Sequence, residues 1–186
     1  MRLFVGVDLS DDLVEAVAAV QDELRPASGL RFVDPEQAHV TVKFLGDVAA
    51  EDLATVEAAV ERGVERAGVE PFEVVYGGLG VFPSLDHVSV VWLGVERGGD
   101  ELRRLHETVE TETTSVSVGV DPADHEFTPH VTLARTDHAG GKECVRRAVE
   151  QRYPTVGTTT VEAVRLTESE LGPDGPEYAT VGHYPL

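Results

Sequence analysis

Apolar positions along this chain fall into two rhythms, one repeating every second residue as in strands and one every three to four as in helices. Leu3 to Leu9 predicts a first strand, and Ser10 with Asp11 and Asp12 stands where it would cap a helix whose apolar stripe is Leu13, Val17, Val20 and Leu24. Pro26 and Gly29 end that helix. A short extended piece, Leu30 to Val33, leads to the β-branched run His39-Val40-Thr41-Val42-Lys43-Phe44-Leu45. The following helix turns Leu53, Val56, Val60 and Val64 inward and closes at Gly68. Phe72 to Tyr76 and His87 to Leu93 predict two strands around a Gly-Gly-Leu-Gly connection, and Leu102, Leu105 and Val109 mark the helix after them. A strand from His130 to Arg135 and a helix near Lys142 to Gln151 come next. The chain then predicts one strand from Thr159 to Leu166, a hairpin at Gly172-Pro173-Asp174-Gly175-Pro176 and a last strand through Tyr178 to Tyr184.

One pattern occurs twice. Val33-Asp34-Pro35 precedes His39-Val40-Thr41, and Val120-Asp121-Pro122 precedes His130-Val131-Thr132, about half a chain later. That interval is far longer than the roughly 20 to 50 residues of a solenoid repeat. It predicts an α+β fold of two pseudo-symmetric lobes of antiparallel sheet with flanking helices around a central cleft. Residues 1–186 are expected to form one bilobal domain of two half-chain repeats, each carrying one His-Val-Thr strand.

Charge changes the picture. Acidic residues number 34 against 15 basic ones, a net charge of −19, which argues against a broad phosphate-tracking surface and leaves only local nucleic-acid chemistry. The only lysines are Lys43 and Lys142, and the apolar residues lean toward Val and Ala, a composition that fits concentrated salt, where surface carboxylates are screened from one another. The same charge is expected to favour protonated histidine. A single cysteine, Cys144, excludes an intramolecular disulfide framework and offers no paired metal spacing, so neither metal nor cofactor is expected. The opening apolar run is cut short by Asp8, Asp11 and Asp12, and no segment nears the roughly 20 apolar residues of a membrane span. A cytoplasmic monomer without membrane contact is the expectation.

The repeated strands carry the candidate chemistry. Alternate strand residues share a face, so His39 and Thr41 point one way, and His130 and Thr132 do likewise. Two imidazoles can divide general base and general acid between them, and two hydroxyls can donate to non-bridging phosphate oxygens, the equipment for cleaving a phosphodiester. The bland alternatives are structural histidines satisfied by backbone and threonines that merely favour strands. Lys43 shares the His39 face by strict counting, as an exposed strand lysine or as added positive potential near the phosphate. Phe44 and Arg135 occupy the same offset from their histidines. Strict alternation turns both away, and a bulge or strand end would deliver both to the cleft. Phe44 would then be a stacking ring rather than a core aromatic. Arg103, Arg104, Arg146, Arg147 and Arg152 are candidates for a basic rim, and His125 for a neighbour of the cleft.

With these residues the chain resembles the two-histidine phosphoesterase superfamily, in its RNA 2′,3′-cyclic phosphodiesterase branch, historically called 2′-5′ RNA ligase. The resemblance rests on His39-Val40-Thr41-Val42-Lys43-Phe44-Leu45-Gly46 and His130-Val131-Thr132-Leu133-Ala134-Arg135. It extends to Met1 to Val5, to Gly77-Gly78-Leu79-Gly80-Val81-Phe82-Pro83 and to Leu166 to Pro173. It implies metal-independent hydrolysis of an RNA terminal 2′,3′-cyclic phosphate to a 2′-phosphate, with His39 as acid, His130 as base and Arg135 on the phosphate or nucleotide. The partner is then an RNA 3′ end or a small cyclic-phosphate nucleotide. A non-catalytic module binding nucleotides or RNA ends is the competing class, against which a paired acid and base would be superfluous.

Overall fold

The computed structural model describes residues 1–172 and 175–186. Nine strands join in one sheet: β1 (Arg2–Asp8), β2 (Leu30–Phe32), β3 (His39–Asp47), β4 (Phe72–Ser84), β5 (His87–Arg97), β6 (His130–Thr136), β7 (Thr155–Val161), β8 (Ala163–Gly172) and β9 (Gly175–Pro185). Their order is β7-β4-β5-β6-β3-β1-β8-β9, every pairing antiparallel, with β2 on β6. Four helices, α1 (Val14–Leu24), α2 (Leu53–Ala67), α3 (Gly99–Ser115) and α4 (Lys142–Gln151), bury their apolar stripes with the sheet in one core, α2 against α3 and α1 against α4. The α+β architecture is as expected. The half of the sheet with His39 takes β1, β3, β8 and β9 from the two ends of the chain, and the half with His130 takes β4 to β7 from its middle.

Three local expectations change. Gly77 to Gly80 lie inside β4, which runs from Phe72 to Ser84 as one irregular strand. A Cβ on Gly80 would stand 2.1 Å from the Trp92 ring, so glycine here makes room for an aromatic on the neighbouring strand rather than a turn. The predicted strand from Thr159 to Leu166 is two strands: β7 ends at Val161 on one edge of the sheet, and β8 begins at Ala163 beside β1. The chain crosses between the halves at Glu162, unannounced by any Gly or Pro. Ser10 caps nothing with its hydroxyl; it meets the Thr159 hydroxyl at 3.2 Å, and a single 3₁₀ turn, Asp11–Leu13, precedes α1. Gly68 ends α2 in the left-handed conformation, φ 56°, as its position implied. The hairpin tip at Pro173 and Asp174 lies outside the described residues.

Candidate active site

The two repeated strands are neighbours at the centre of the sheet. β3 and β6 meet at one antiparallel bridge, Val40 opposite Val131, with both valines fully buried on the helix side. Alternation therefore turns His39, Thr41, His130 and Thr132 together onto the opposite face, around that bridge. All four are partly exposed. Two cavities adjoin them. One of about 310 Å³ is lined by His39, Thr41, Thr132, Arg135, Arg31 and Tyr178, among others. The other, about 530 Å³, reaches from Thr41 and His130 past Phe44 and Phe82 to the segment between Asp121 and Thr128. Thr41 borders both.

Each histidine is held in the same way. His39 Nδ1 lies 2.8 Å from the carbonyl of Gln37, and His130 Nδ1 lies 2.6 Å from that of Thr128, two residues upstream in each case. A carbonyl only accepts, so Nδ1 carries the hydrogen in both rings, and the tautomer leaves Nε2 available for proton transfer. Aromatic rings complete both settings. His39 stacks on Phe4 at 4.7 Å and meets Tyr178 edge-on at 5.3 Å. His130 meets Phe82 edge-on at 4.9 Å and lies 5.9 Å from Trp92. Both pKa values fall below the ordinary 6.5, first because burial disfavours the cation and also because Arg135 repels it. His39 also opposes the protonation of His130. The acidic surface thus does not govern these rings as charge alone suggested; among charged groups only Asp8 counteracts, and only at His39.

Strict alternation fails in the same place on both strands. Between Thr41 and Lys43 the β1 partners are adjacent, Gly6 and Val5, and between Thr132 and Ala134 the β5 partners are adjacent, Trp92 and Val91. Val42 and Leu133 are therefore extra residues, one bulge on each strand. After each bulge the phase flips. Lys43 and Ala134 go inward, and Phe44 and Arg135 come out on the exposed side. Phe44 is 48% exposed with the Arg2 guanidinium 5.0 Å from its ring centre, which overturns the core-aromatic reading. Lys43 is the opposite correction: it is 4% exposed, donates to the Asp121 carbonyl at 2.7 Å and pairs with Glu110 at 2.6 Å. Burial alone would raise the Glu110 pKa, but the Lys43 ammonium and the Ala123 amide hold it below the ordinary carboxylate value.

Two side chains that periodicity did not single out, buried Gln21 and half-buried His106, secure the bulges. The Val42 carbonyl accepts from His106 Nδ1 on α3 at 2.8 Å, and the Leu133 carbonyl accepts from Gln21 Nε2 on α1 at 3.1 Å. The Leu133 carbonyl also accepts from the Val33 amide at 3.0 Å, and Gln21 Nε2 bridges it to the Val33 carbonyl at 2.8 Å, so inward-facing carbonyls beside the bulges are met by side-chain donors from the helices. A polar Gln21 inside an otherwise apolar stripe was the available signal. His106, which also stacks on Phe127 at 4.3 Å, gave none beyond its residue type. The predicted basic rim is elsewhere: Arg103, Arg146 and Arg152 pair with Asp100, Asp86 and Glu23. Arg31 is the arginine that joins Arg135 at the cleft. His125 borders the larger cavity and pairs with Asp124 at 2.5 Å. Among the described residues no three His, Cys, Asp or Glu side chains gather as a metal site would require.

A curled antiparallel sheet whose central strands present paired His-x-Thr faces is the architecture of the two-histidine phosphoesterases. The chain belongs to the 2′-5′ RNA ligase superfamily, whose model matches residues 8–173. It is 36% identical over 180 residues to the RNA 2′,3′-cyclic phosphodiesterase of Methanothermobacter thermautotrophicus, covering 96% of this chain and 95% of that one. The protein of the same name from Archaeoglobus fulgidus is 35% identical, with 96% of each chain covered. Among solved structures, TT0787 of Thermus thermophilus superposes with a TM-score of 0.80 at 29% identity, covering 100% of this chain and 98% of its own. LigT of E. coli, solved with 3′-AMP, shares the fold at a TM-score of 0.79 and 23% identity, over 100% of this chain and 97% of that one. No helix is long and apolar enough to cross a membrane among the described residues.

Proposed function

We propose that this protein is an RNA 2′,3′-cyclic phosphodiesterase that opens a terminal cyclic phosphate to a 2′-phosphate by metal-independent acid–base catalysis. The observation that carries the reading is the matched pair of histidines, each fixed through Nδ1 to the carbonyl two residues upstream, on one face around the Val40–Val131 bridge. His130 Nε2 accepts a proton from water as its oxygen bonds to phosphorus. The bond from phosphorus to O3′ breaks, and His39 Nε2–H delivers its proton to that oxygen. The products are a 2′-phosphate and a 3′-hydroxyl, and proton exchange with solvent restores both rings. Thr41 and Thr132 hydroxyls donate to the non-bridging oxygens, Arg135 offsets the charge gathering there, and Phe44 stacks on a base.

Two cavities meeting at Thr41 favour a substrate that continues on both sides of the phosphate, an RNA end, over a mononucleotide. The deciding experiment incubates a short RNA ending in 2′,3′-cyclic phosphate, with and without EDTA, and locates the product phosphate. A 2′-phosphate formed equally in both samples is expected. A 3′-phosphate, or activity lost to chelator and restored by a divalent ion, overturns the reading.

A further inference from the structure

The two histidines are matched in tautomer, bulge and aromatic neighbours, yet their cross-strand partners differ. Opposite His39 on the adjacent strand stands Asp8; opposite His130 stands Gly94. Residues directly opposite in an antiparallel pair project from the same face, so the Asp8 carboxylate shares the exposed face with His39, while His130 has no side chain in the equivalent place. Nor can that place acquire one without rearrangement, because a Cβ on Gly94 would lie 2.6 Å from the Gly77 carbonyl oxygen.

Building on the proposed reaction, we infer that Asp8 is the positioning residue that divides the proton work, making His39 the acid, while Gly94 leaves His130 to act as the base. The other charged groups that act on these rings disfavour the cation, and the rest line the cavities around them. Arg135, from β6, bears on both imidazoles, and His39, from β3, opposes the cation at His130. Tyr178 from β9 meets His39 as a neutral phenol, its pKa pushed up by burial. Arg31, Asp34 and Glu177 stand on the rim of the smaller cavity, and His125 acts on His130. Among charged groups Asp8 alone favours the cation, and at one histidine only. Its strength is itself governed, because Arg165 from β8 pairs with one carboxylate oxygen. Neutralising that arginine strengthens the field of Asp8 at His39, and neutralising Asp8 abolishes it.

These two variants therefore carry opposite signs. In the full chain labelled with ¹⁵N-histidine, the titrations of His39 and His130 are followed by NMR without substrate for wild type, Asp8→Asn and Arg165→Gln. Turnover of RNA ending in 2′,3′-cyclic phosphate is recorded against pH in parallel. In Asp8→Asn, His39 is expected to lose its proton at lower pH and His130 to stay nearly in place, so turnover falls several-fold on the alkaline limb and little on the acid limb. Arg165→Gln should move His39 the other way and extend the alkaline limb. Unmoved His39 titration in both variants, equal displacement of the two histidines, or the same sign in both variants overturns the inference. Should Asp8→Asn not fold, Arg165→Gln decides by its sign. A wild type inactive on the cyclic phosphate refutes the proposed reaction instead, and the NMR titrations still decide whether the two histidines are biased apart.

Discussion

The half of the sheet built around β3 and the half built around β6 share a frame and differ in what fills it. Each has a His-x-Thr face, a bulge one residue later, a helix side chain donating to the bulge carbonyl and two aromatic rings against the imidazole. The side chains placed on that frame are unlike: Phe44 against Arg135, buried Lys43 against Ala134, Asp8 against Gly94. A symmetric frame is economical for gripping a phosphate from two sides. Hydrolysis is not symmetric, since one proton leaves water and another reaches the departing oxygen, so the frame can be shared and the charges cannot.

The comparison breaks most severely at the histidines. His39→Ala and His130→Ala should each reduce turnover of the cyclic-phosphate RNA by at least about 10²-fold, the usual scale of a positioned proton-transfer group. The double variant should lose far less than the product of the two, because the pair acts as a unit. Near wild-type turnover in either single variant would remove the two-histidine mechanism.

The residues beyond the bulges come next. Arg135→Ala is expected to raise KM and lower kcat together, since a guanidinium gains most as charge builds on the phosphate, with Arg135→Lys recovering part of the loss. Phe44→Ala should act chiefly on KM, by the ~1–3 kcal/mol that stacking contributes per base. Steady-state kinetics on the same RNA separates the two patterns. Identical effects on kcat and KM would mean the two positions do the same job.

Gln21→Leu and His106→Phe test whether the bulges depend on their donors. His106→Phe removes the side-chain donor of the Val42 carbonyl and Gln21→Leu that of the Val33 carbonyl, while the Leu133 carbonyl keeps the Val33 amide; each loss, at about 1–3 kcal/mol, should register in thermal unfolding as a lowered Tm. The phase of Arg135 depends on the first bulge donor and that of Phe44 on the second, so each variant should weaken substrate binding through its own strand. An unchanged Tm and unchanged kinetics would mean that the bulges hold without them.

The smallest effect is a pH dependence of stability. Both histidines have folded-state pKa values below 6.5, so the unfolded chain binds more protons than the folded one beneath that pH. Their contribution is present above the ordinary value and is lost as pH falls through the folded values. Relative to His130→Gln, the wild type should therefore lose Tm as pH drops below about 6.5 and match its trend above it. A parallel pair of curves would show that burial does not disfavour the His130 cation.

Periodicity and residue type carried most of the element pattern: helices through Leu13 to Leu24 and Leu53 to Val64, the strands at both His-Val-Thr runs, and the left-handed stop at Gly68. These are local matters, decided by which face a residue must bury and by backbone freedom. The repeat itself pointed to paired histidines, and the shared offset of Phe44 and Arg135 required that one geometry deliver both.

What the sequence could not decide depends on partners distant along the chain. Lys43 reads as exposed by counting from His39, and only the extra residue Val42, held by His106 from another helix, turns it into the core toward Glu110. Gly77 to Gly80 look like a turn until the strand pairing is seen and the Trp92 ring occupies the space beside Gly80. Nothing local marks Glu162 as the crossing between halves, and nothing local sets Asp8 against His39 or Gly94 against His130. Which residues are candidates for the chemistry was legible in a repeated tripeptide, because alternation in a strand is a property of the backbone. Which face survives a bulge and which charge stands across the strand were decided only by tertiary structure, because register is a property of two strands at once.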